Sequence, residues 1–303
     1  MTYALLLCLS IIWAAVFFEL DRSRSSVLHE AEVRTQVQSR VFAENSRSVI
    51  KRVNEILIDS RSQWTGDWKA FANAIRQRQE NIEDISFQLA VIDRNGILAF
   101  SNLAKPSDRT DLSEREHFRL HQQNPGFDRL FISKPLKGKV SGKWSIQFTR
   151  PIRTNGVFEG VIVASISPDL FANFAQTMGI DDNGSVAMVR DSGEIMSRFP
   201  VGESALGFVI TDRPFLKAGA ALSGTYVSSS QTDQVIRQYG FYREPEYGLA
   251  FVVGARLSDV LAPYQANRDI VVTAGLLVSS LAIFLFYLLQ RSINASRKRG
   301  QRT

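Results

Sequence analysis

Residues 111–121 form a polar run, Asp-Leu-Ser-Glu-Arg-Glu-His-Phe-Arg-Leu-His, which contains two of the three histidines of the chain. Glu114, His117 and His121 are spaced i, i+3 and i+7, so on a helix they would share one face. Such a face could coordinate a divalent cation, line a pocket with a pH-sensitive histidine, or form a solvated or structural surface. The spacing matches no standard zinc motif, and no fourth ligand is evident nearby. We therefore predict no metal and no cofactor.

The polar run is followed by three strand-like runs, which make residues 111–166 the first candidate for a binding pocket. A short helix that leads into an antiparallel sheet produces a concave site, with the sheet as its floor and the helix and loop as its lid. Our hypothesis is that this is the pocket of a sensor. The expected strands span residues 130–136, 143–152 and 158–166.

Aromatic residues supply further candidates for pocket walls. Trp144 would share one strand face with Ile146 and Phe148, and core packing and pocket lining are equally compatible with that position. In the C-terminal half, a second pocket could be lined by tyrosines, but the aromatic edge of an ordinary core is the favoured interpretation there. These tyrosines are Tyr239, Tyr242 and Tyr247.

Catalytic motifs are not apparent in the sequence. There is no Gly-Lys-Ser/Thr phosphate loop and no Gly-x-Ser-x-Gly nucleophile elbow. The single cysteine, Cys8, lies in an apolar segment, so neither an intrachain disulfide nor a cysteine nucleophile outside that segment is available. The serine nearest to His117 and His121 is Ser113. We predict that the protein is not an enzyme.

The net charge of +6 points to a membrane rather than to nucleic acid. The clearest basic cluster, Arg297-Lys-Arg299 with Arg302, directly follows an apolar run. Basic residues in a short tail beside an apolar helix are typical of the cytoplasmic flank of a membrane span. No nucleic-acid partner is therefore expected.

Two apolar segments bracket the rest of the chain. The second, residues 270–289, has about the 20 residues that a hydrocarbon core requires. We predict transmembrane helices at residues 1–20 and 270–289. A cleaved signal peptide is the alternative for the first, but a basic n-region is missing, and bulky Phe17 and Phe18 lie where small residues are preferred.

The basic tail, residues 290–303, sets the expected orientation. Short loops follow the positive-inside rule, whereas a long segment between two spans translocates largely regardless of its charge. Arg22 and Arg24, just after the first span, are a weaker signal in the opposite direction. We expect a two-pass protein of a bacterial inner (plasma) membrane, with residues 21–269 periplasmic and both termini cytoplasmic.

Residues 26–60 contain no proline or glycine and predict a long amphipathic helix. Apolar residues recur at intervals of three, four and seven on one stripe, opposite a polar face. The stripe could pack on the protein's own sheets, on a second copy of the chain, or on both, so a homodimer is expected. With a shorter helix after Trp64-Thr-Gly-Asp67, this helical region covers residues 21–83. The stripe contains Val27, Ala31, Val41, Phe42, Val49, Val53, Ile56 and Leu57.

An internal repeat predicts two tandem modules. Residues 90–96, Ala-Val-Ile-Asp-Arg-Asn-Gly, are similar to residues 187–193, Ala-Met-Val-Arg-Asp-Ser-Gly, and both have the pattern of a β-hairpin with a glycine turn. Residues 161–170 and 251–260 form a second pair, each a strand that runs into a helix start. The partners of each pair are about 90 to 100 residues apart, the size of a small domain.

Four runs follow the long helix and its hairpin in order: Asp-Leu-Ser-Glu-Arg-Glu-His-Phe from 111, Ser-Gly-Lys-Trp-Ser-Ile-Gln-Phe-Thr-Arg from 141, Gly-Val-Ile-Val-Ala-Ser-Ile-Ser from 160, and Asp-Asn-Gly-Ser-Val-Ala-Met-Val from 182. This order resembles the double Cache family of extracytoplasmic sensors, most closely the version found ahead of GGDEF diguanylate cyclase domains and some histidine kinases. The resemblance covers nearly all of the segment between the apolar ends.

The resemblance implies an α+β fold of two PAS-like modules, each with an antiparallel sheet, on one long N-terminal helix. The membrane-distal module would span residues 84–179 and the membrane-proximal module residues 180–269. In this family, ligands usually bind in the distal module, and the signal passes through the last helix into the membrane. No catalytic residues are implied for this segment.

The resemblance also implies a set of ligand-binding residues. Amino-acid-binding members carry an Arg-x-Trp-Tyr motif after the first hairpin and an aspartate in a later strand. Arg115, His117 and Phe118 correspond to the motif here, and Ser165 lies near the aspartate's place. Arg115 could pair with a carboxylate, but the missing aspartate removes the partner of an α-amino group. A small molecule, preferably a carboxylate, is therefore expected to bind Asp111, Arg115, His117, Phe118, Trp144 and Ser165.

Residues 290–303 are too few for a GGDEF, kinase or methyl-accepting output domain, which leaves three functional hypotheses. The leading one is a dimeric, membrane-anchored ligand sensor that acts through the second transmembrane helix on a separately encoded signalling partner. The second is the same sensor as the truncated input half of a diguanylate cyclase or histidine kinase. The third is a periplasmic adaptor that binds protein rather than a small molecule.

Overall fold

The computed structural model describes residues 2–79, 88–105, 107, 109–181, 183–200 and 202–300. The chain forms two compact units. One is Arg34–Ala255, and the other combines the two chain ends, Met1–Val33 and Arg256–Thr303. The predicted start of the first module at residue 84, and Asp182 of the fourth sequence run, lie outside the described residues.

Helix α1 spans Thr2–Ser62 and joins two segments that the sequence predicts as separate helices. It is uninterrupted because residues 2–62 contain no proline or glycine, so every internal backbone hydrogen bond can form. The predicted stripe is confirmed at Phe42, Val53 and Leu57, which are buried. Val41 of the stripe is 40% exposed, because it lies about 100° around the helix from Phe42, so it does not pack in the core of its own chain.

Helix α2 spans Trp68–Gln79. Gly66 has φ 92°, a left-handed conformation that separates α1 from α2. The carboxylate of Asp67 then caps α2 by accepting a hydrogen bond from the backbone N–H of Lys69 at 2.8 Å. The break predicted at residues 64–67 is therefore confirmed.

The first sheet consists of β1 (Gln88–Asp93), β2 (Leu98–Ser101), β3 (Phe131–Ile132), β4 (Leu136–Lys137), β5 (Trp144–Thr154) and β6 (Val157–Ile166), with α3 (Glu116–Gln123) between β2 and β3 in the chain. Its order is β2-β1-β6-β5-β3, and β4 also pairs with β5. The strands predicted at 143–152 and 158–166 are confirmed within two residues. The run 130–136 is instead split into β3 and β4, because Pro135 lies between them and has no backbone N–H to donate.

The second sheet consists of β7 (Ser185–Arg190), β8 (Ile195–Phe199), β9 (Ser223–Ser229), β10 (Ile236–Glu244) and β11 (Leu249–Arg256), in the order β8-β7-β11-β10-β9. If β4 is left out and the strands of each sheet are numbered from 1 in chain order, both sheets have the strand order 2-1-5-4-3. Helices α4 (Pro168–Ala172) and α5 (Phe174–Thr177) connect them in the chain.

The two predicted hairpins are confirmed as β1–β2 and β7–β8. Their turns end at Gly96, with φ 84°, and Gly193, with φ 97°. A Cβ atom on Gly96 would lie 2.5 Å from Ser113, and one on Gly193 would lie 2.4 Å from the carbonyl oxygen of Ile210. Each glycine thus lets a covering segment approach its hairpin closely.

The two faces of each sheet have different neighbours, as the period of two along a strand requires. Val91 of β1 belongs to the large core cluster that contains Phe42 of α1, whereas Ile92 belongs to a smaller cluster. The second sheet repeats this division with Met188 and Val189. Each sheet therefore has one face in the α1 core and an opposite face with its own apolar cluster.

The unit formed by the chain ends contains the first part of α1 and helix α6, Leu257–Gly300. Nδ2 of Asn267 donates to Oγ of Ser23 at 3.2 Å. A Cβ atom on Gly275 would lie only 3.0 Å from the side chain of Val16, so the glycine allows a close approach of the helices. Both helices contain windows apolar enough to cross a membrane, with mean hydropathies of 2.2 and 2.3.

Candidate ligand-binding site

A cavity of about 40 Å³ lies on the face of the first sheet opposite the α1 core. A cavity needs roughly 10–15 Å³ of accessible volume to hold one water molecule, so this cavity has room for a few waters or a small organic group. Strands β1, β5 and β6 form its floor. It is lined by Gln88, Ala90, Ile92, Leu98, Leu112, Arg115, His117, Leu136, Gly138, Lys139, Val140, Gln147, Val163 and Ser165.

The floor carries a row of buried polar side chains across three neighbouring strands. Ser165 of β6 is paired in register with Gln88 of β1 and Gln147 of β5. Its Oγ lies 2.7 Å from Oε1 of Gln147 and 3.4 Å from Oε1 of Gln88. Nε2 of Gln147 donates to Oγ of Ser145 at 2.7 Å. This network fixes the side chains that a polar ligand would meet at the floor.

Arg115 forms part of the wall at the start of α3. It is the N-cap residue of this helix, with φ −72° and ψ 136°, so its side chain projects from the loop before the first turn. Its Nη2 donates to the backbone carbonyl of Lys137 at 3.2 Å. A guanidinium has five N–H donors in a fixed planar arrangement, so this contact is compatible with a second one to a ligand carboxylate.

His117 is the most deeply buried titratable group of the cavity, with 4% of its surface exposed. Burial, followed by the charges of Arg115 and His121, lowers the pKa of His117 to about 3. The ring is therefore neutral near pH 7, with one donor and one acceptor nitrogen. Its Nδ1 has no hydrogen-bond partner among the described residues. Such a buried polar atom costs about 1–3 kcal/mol, which a bound polar group would offset.

The charge of the lining is positive. Arg115 and Lys139 are cationic, and the described lining residues include no carboxylate. Nζ of Lys139 donates to the backbone carbonyl of Asp111 at 2.7 Å, which holds it at the rim. Two cations beside a small, partly apolar cavity favour an anionic ligand group over an ammonium group.

Comparisons with models of protein families and with curated proteins give no match. Solved structures do match over most of the chain. The extracellular domain of rpHK1S-Z16, described as a histidine kinase, has a TM-score of 0.68 and 25% identity over 78% of this chain and 98% of its own. The ligand-binding domain of the Pseudomonas fluorescens chemoreceptor CtaA, in complex with L-isoleucine, has a TM-score of 0.61 and 14% identity over 81% and 99%.

A third neighbour is the sensor domain of the V. cholerae histidine kinase DctB, with a TM-score of 0.52 and 15% identity over 77% of this chain and 98% of that domain. The chain has the fold of Cache-type extracellular sensor domains. These neighbours are ligand-binding and sensor domains rather than catalytic domains. The Cache-type fold also accounts for the long N-terminal helix beneath two antiparallel sheets.

Three residues of the predicted ligand set, Asp111, Phe118 and Trp144, lie outside the lining of this cavity. Asp111 is exposed, and its Oδ1 accepts a hydrogen bond from the backbone N–H of Ser113 at 2.9 Å. Hydrogen bonds from the side chain and backbone of Ser113 lower the pKa of this carboxyl group. Phe118 is fully buried, with its ring centroid 5.8 Å from that of Phe158. Asp111 shapes the turn before α3, and Phe118 anchors α3 to the sheet.

Trp144 lines a different cavity, of about 500 Å³, together with Asp169 and Arg198. Its indole Nε1 donates to Oε2 of Glu203 at 3.0 Å. Gln147, three residues further along β5, faces the cavity of about 40 Å³ on the first sheet. Because side chains alternate along a strand, Trp144 points to the opposite side of the sheet. Trp144 is therefore placed at contacts between the first sheet and the segment that follows β8.

The remaining members of the polar run have other contacts. Glu114 pairs with Arg119 at 2.7 Å. His121 is buried with its Nε2 2.9 Å from Oγ1 of Thr149, and burial, with a smaller effect of Arg153, lowers the pKa of His121 to about 4. Within the described part of the chain, no group of three histidine, cysteine or acidic side chains could hold a metal ion.

Three polar lining residues, Gln88, Gln147 and Lys139, are absent from the predicted set. A signal for Gln147 exists in the sequence, because it is a polar residue between Ile146 and Phe148 in an apolar strand. That pattern indicates a polar contact on the face opposite the main core. Lys139 lies in a segment without periodicity, so only the folded chain reveals its position.

Proposed function

We propose that the chain is a membrane-anchored extracytoplasmic sensor that binds a small carboxylate in the cavity of the first sheet, the membrane-distal Cache module at residues 84–179. The observation that carries this proposal is the combination of Arg115 and Lys139 with the unpartnered Nδ1 of neutral His117, in a lining without a carboxylate. The ligand carboxylate would accept hydrogen bonds from the arginine and the imidazole N–H.

The polar floor narrows the ligand class further. The oxygen of Gln147 that accepts from Ser165 has a second lone pair, which suits a donor on the ligand. A hydroxy acid combines such a donor with a carboxylate. The ligand in the structure of CtaA is the amino acid L-isoleucine. For this chain we propose a carboxylate without an ammonium group, because a buried ammonium needs an anionic partner.

Contacts between the two sheets support a route for the signal. Glu116 follows Arg115 on α3, and its Oε1 accepts hydrogen bonds from Nη1 and Nη2 of Arg190 in β7 at 3.1 and 3.2 Å. Oγ of Ser197 in β8 donates to the carbonyl of Pro168 in α4 at 2.7 Å. We propose that the ligand favours one position of α3, and that the second sheet transmits this preference to transmembrane helix 2.

The proposal includes a two-pass topology in a bacterial inner membrane, with both termini cytoplasmic and residues 21–269 in the periplasm. The two apolar helices support it. A homodimer through α1 is supported by an exposed stripe with i, i+4 and i+8 spacing, in which Val33, Val37 and Val41 are 48%, 57% and 40% exposed. A second copy would cover these side chains.

A thermal-shift screen of the full chain in lipid nanodiscs tests the ligand site. Hydroxy acids, other carboxylates, amino acids, purines and polyamines would be compared, because a ligand at about 100 times its Kd adds roughly 2.7 kcal/mol of stability. We expect a hydroxy acid or another carboxylate to raise the melting temperature, and Arg115→Gln to abolish the effect.

The matched control is Arg119→Gln, which removes the same charge from the exposed face of α3, where Arg119 pairs with Glu114. A shift that survives Arg115→Gln would contradict the proposed site. No shift with any compound would favour an adaptor that binds protein.

A second candidate function is the input half of a histidine kinase. It is favoured because two of the structural neighbours, rpHK1S-Z16 and DctB, are described as histidine kinases. The test is the reading frame at the source locus. A frame that continues past Thr303 into a kinase or diguanylate cyclase domain would select this candidate, whereas a stop codon there would select a separately encoded signalling partner.

A further inference from the structure

A second cavity, of about 50 Å³, lies on the second sheet, on its face opposite the α1 core. Strands β7, β10 and β11 form its floor, and two loops, residues 210–215 and 230–232, cover it. It is the counterpart of the first cavity, because both lie over the first strand of a hairpin. Its lining includes Ala187, Val189, Arg198, Arg213, Tyr239 and Val252.

Arg198 of the lining belongs to an ionic cluster with Arg237 and the partly exposed Asp233. Asp233 accepts hydrogen bonds from Nη2 of Arg198 at 2.5 Å and from Nη1 of Arg237 at 2.9 Å. The side chains of Arg198 and Arg237 are 8% and 2% exposed. Two buried guanidinium groups with one carboxylate leave an excess positive charge, which is costly to bury without a counter-ion.

Arg213 adds a third positive charge from the cover. Its Nη1 donates to Oγ of Ser228 at 2.7 Å and its Nη2 to the carbonyl of Ser229 at 2.8 Å. Both acceptors are neutral, so they orient the guanidinium without compensating its charge. Gln231 fixes the neighbouring loop by exchanging two hydrogen bonds of 3.1 Å with the backbone of Thr211. The cationic cover is therefore held in place before any ligand binds.

Much of the remaining lining is aromatic and aliphatic. The rings of Tyr226 and Tyr239 are stacked with centroids 5.0 Å apart and an interplanar angle of 18°. Burial raises the pKa of the Tyr226 hydroxyl, so this group remains neutral. Val189 and Val252 complete an apolar surface beside the arginines. A ligand that contacts both the arginines and the apolar lining needs an anionic head and a short apolar tail.

We infer that this cavity is a second ligand site, specific for a short-chain monocarboxylate. The carboxylate would accept hydrogen bonds from Arg213 and Arg198, and the alkyl tail would lie against Tyr239 and Val252. The small volume restricts the tail to a few carbon atoms. Inorganic anions match the arginines but leave the aromatic and aliphatic lining without a contact.

Isothermal titration calorimetry on the full chain in zwitterionic nanodiscs tests the inference, with acetate, propionate, butyrate, sulfate and phosphate at constant ionic strength. The titrations use an Arg115→Gln background, so that the first cavity does not contribute. We expect propionate or butyrate to bind with one site per chain. Arg213→Gln should weaken this binding about tenfold or more, since a charge-assisted hydrogen bond is lost.

Two further variants separate a binding site from a purely structural cluster. Lys217→Gln removes a charge from the exposed end of the same loop and should leave the affinity within about twofold. Ala187→Leu places a larger side chain in the cavity and should abolish propionate binding with the arginines intact. Absence of carboxylate binding in the Arg115→Gln background, or affinity unchanged by Arg213→Gln and Ala187→Leu, would overturn the inference. Tight sulfate or phosphate binding without carboxylate binding would also overturn it.

Discussion

The two cavities lie on sheets with the same order of paired strands but have different chemistry. In the first sheet, Gln88 is paired with Ser165, and in the second sheet, Ser185 is paired with Gly254. A Cβ atom on Gly254 would lie 2.5 Å from the ring of Tyr239, so the glycine makes room for that aromatic side chain. The residue in the matching position of the first sheet is Ser165, whose Oγ belongs to the row of polar side chains with Gln88 and Gln147. Side chains at matching strand positions thus give the two cavities their different chemistry.

The charges of the two cavities differ in a similar way. The first cavity has two cations at its rim, the partly exposed Arg115 and the exposed Lys139, and a buried neutral imidazole, that of His117. The second has two buried arginines around Asp233. Because a neutral histidine and an ion pair titrate in different pH ranges, acid should affect the two sheets separately.

Mild acid should destabilise the first sheet and spare the second. The pKa values of His117 and His121 are lowered to about 3 and about 4, from an ordinary 6.5. As the pH falls, these two histidines are therefore protonated in the unfolded chain before they are protonated in the folded chain. The stability that is present above pH 6.5 is lost as the pH falls towards 4. Between pH 7 and pH 5 the loss is about 2 kcal/mol for each histidine. Hydrogen exchange at the two pH values would show faster opening of β1, β5 and β6.

The second sheet contains no histidine. Burial alone would raise the pKa of Asp233, but hydrogen bonds from Arg237 and Arg198 outweigh it and lower the pKa. The stability from this carboxylate is therefore present above its ordinary pKa and is lost only in stronger acid. His117→Gln should reduce the pH dependence of the first sheet, whereas exposed His29→Gln should not. Equal opening of both sheets at pH 5 would contradict this prediction.

Asp233→Asn should destabilise the second sheet by about 3 kcal/mol, because it leaves two buried guanidinium groups without a carboxylate. Asp128→Asn is the matched control beside the first sheet. Asp128 is 52% exposed and pairs with Arg61 and Arg150, so its loss should cost less than about 1 kcal/mol. Thermal unfolding of the full chain measures both. Similar losses for the two variants would show that the buried cluster has no special role.

Glu116→Gln should have the smallest effect on stability, less than about 1 kcal/mol, because its ion pair with Arg190 is partly exposed. It should nevertheless uncouple the two sheets. In the parent chain, a ligand of the first cavity is expected to slow hydrogen exchange in β7, and in Glu116→Gln this effect should be lost. Glu114→Gln, which breaks only the contact with Arg119, is the control. Unchanged protection of β7 in Glu116→Gln would exclude this contact as the route.

Much of the fold follows from local patterns. The unbroken helical stripe predicts α1, and the glycine turns at Gly96 and Gly193 predict both hairpins. The position of Pro135 explains why one predicted strand is split. These features depend on residues close in sequence, so a pattern of period two or 3.6 reveals them.

The candidate sites depend on contacts that local patterns do not contain. Of the residues that the family resemblance predicts to bind a ligand, Arg115, His117 and Ser165 line the first cavity, whereas Asp111, Phe118 and Trp144 do not. Ligand binding by any of them stays a prediction. In the second sheet, Tyr239 belongs to a buried apolar cluster, as the favoured interpretation predicts, and it also lines a cavity. Tyr242 and Tyr247 pack against the main core. Arg198 and Asp233 are 35 residues apart in sequence, so only the sheet brings them together.

The most direct test of the ligand site uses the three histidines of the chain as reporters. Selective ¹⁵N-histidine labelling of the full chain in nanodiscs gives separate imidazole signals for His29, His117 and His121. We expect a stabilising carboxylate to shift the nitrogen signals of His117 to values typical of a hydrogen-bonded ring and to leave those of His29 unchanged. A carboxylate that raises the melting temperature without changing the His117 signals would show that it binds elsewhere than the first cavity.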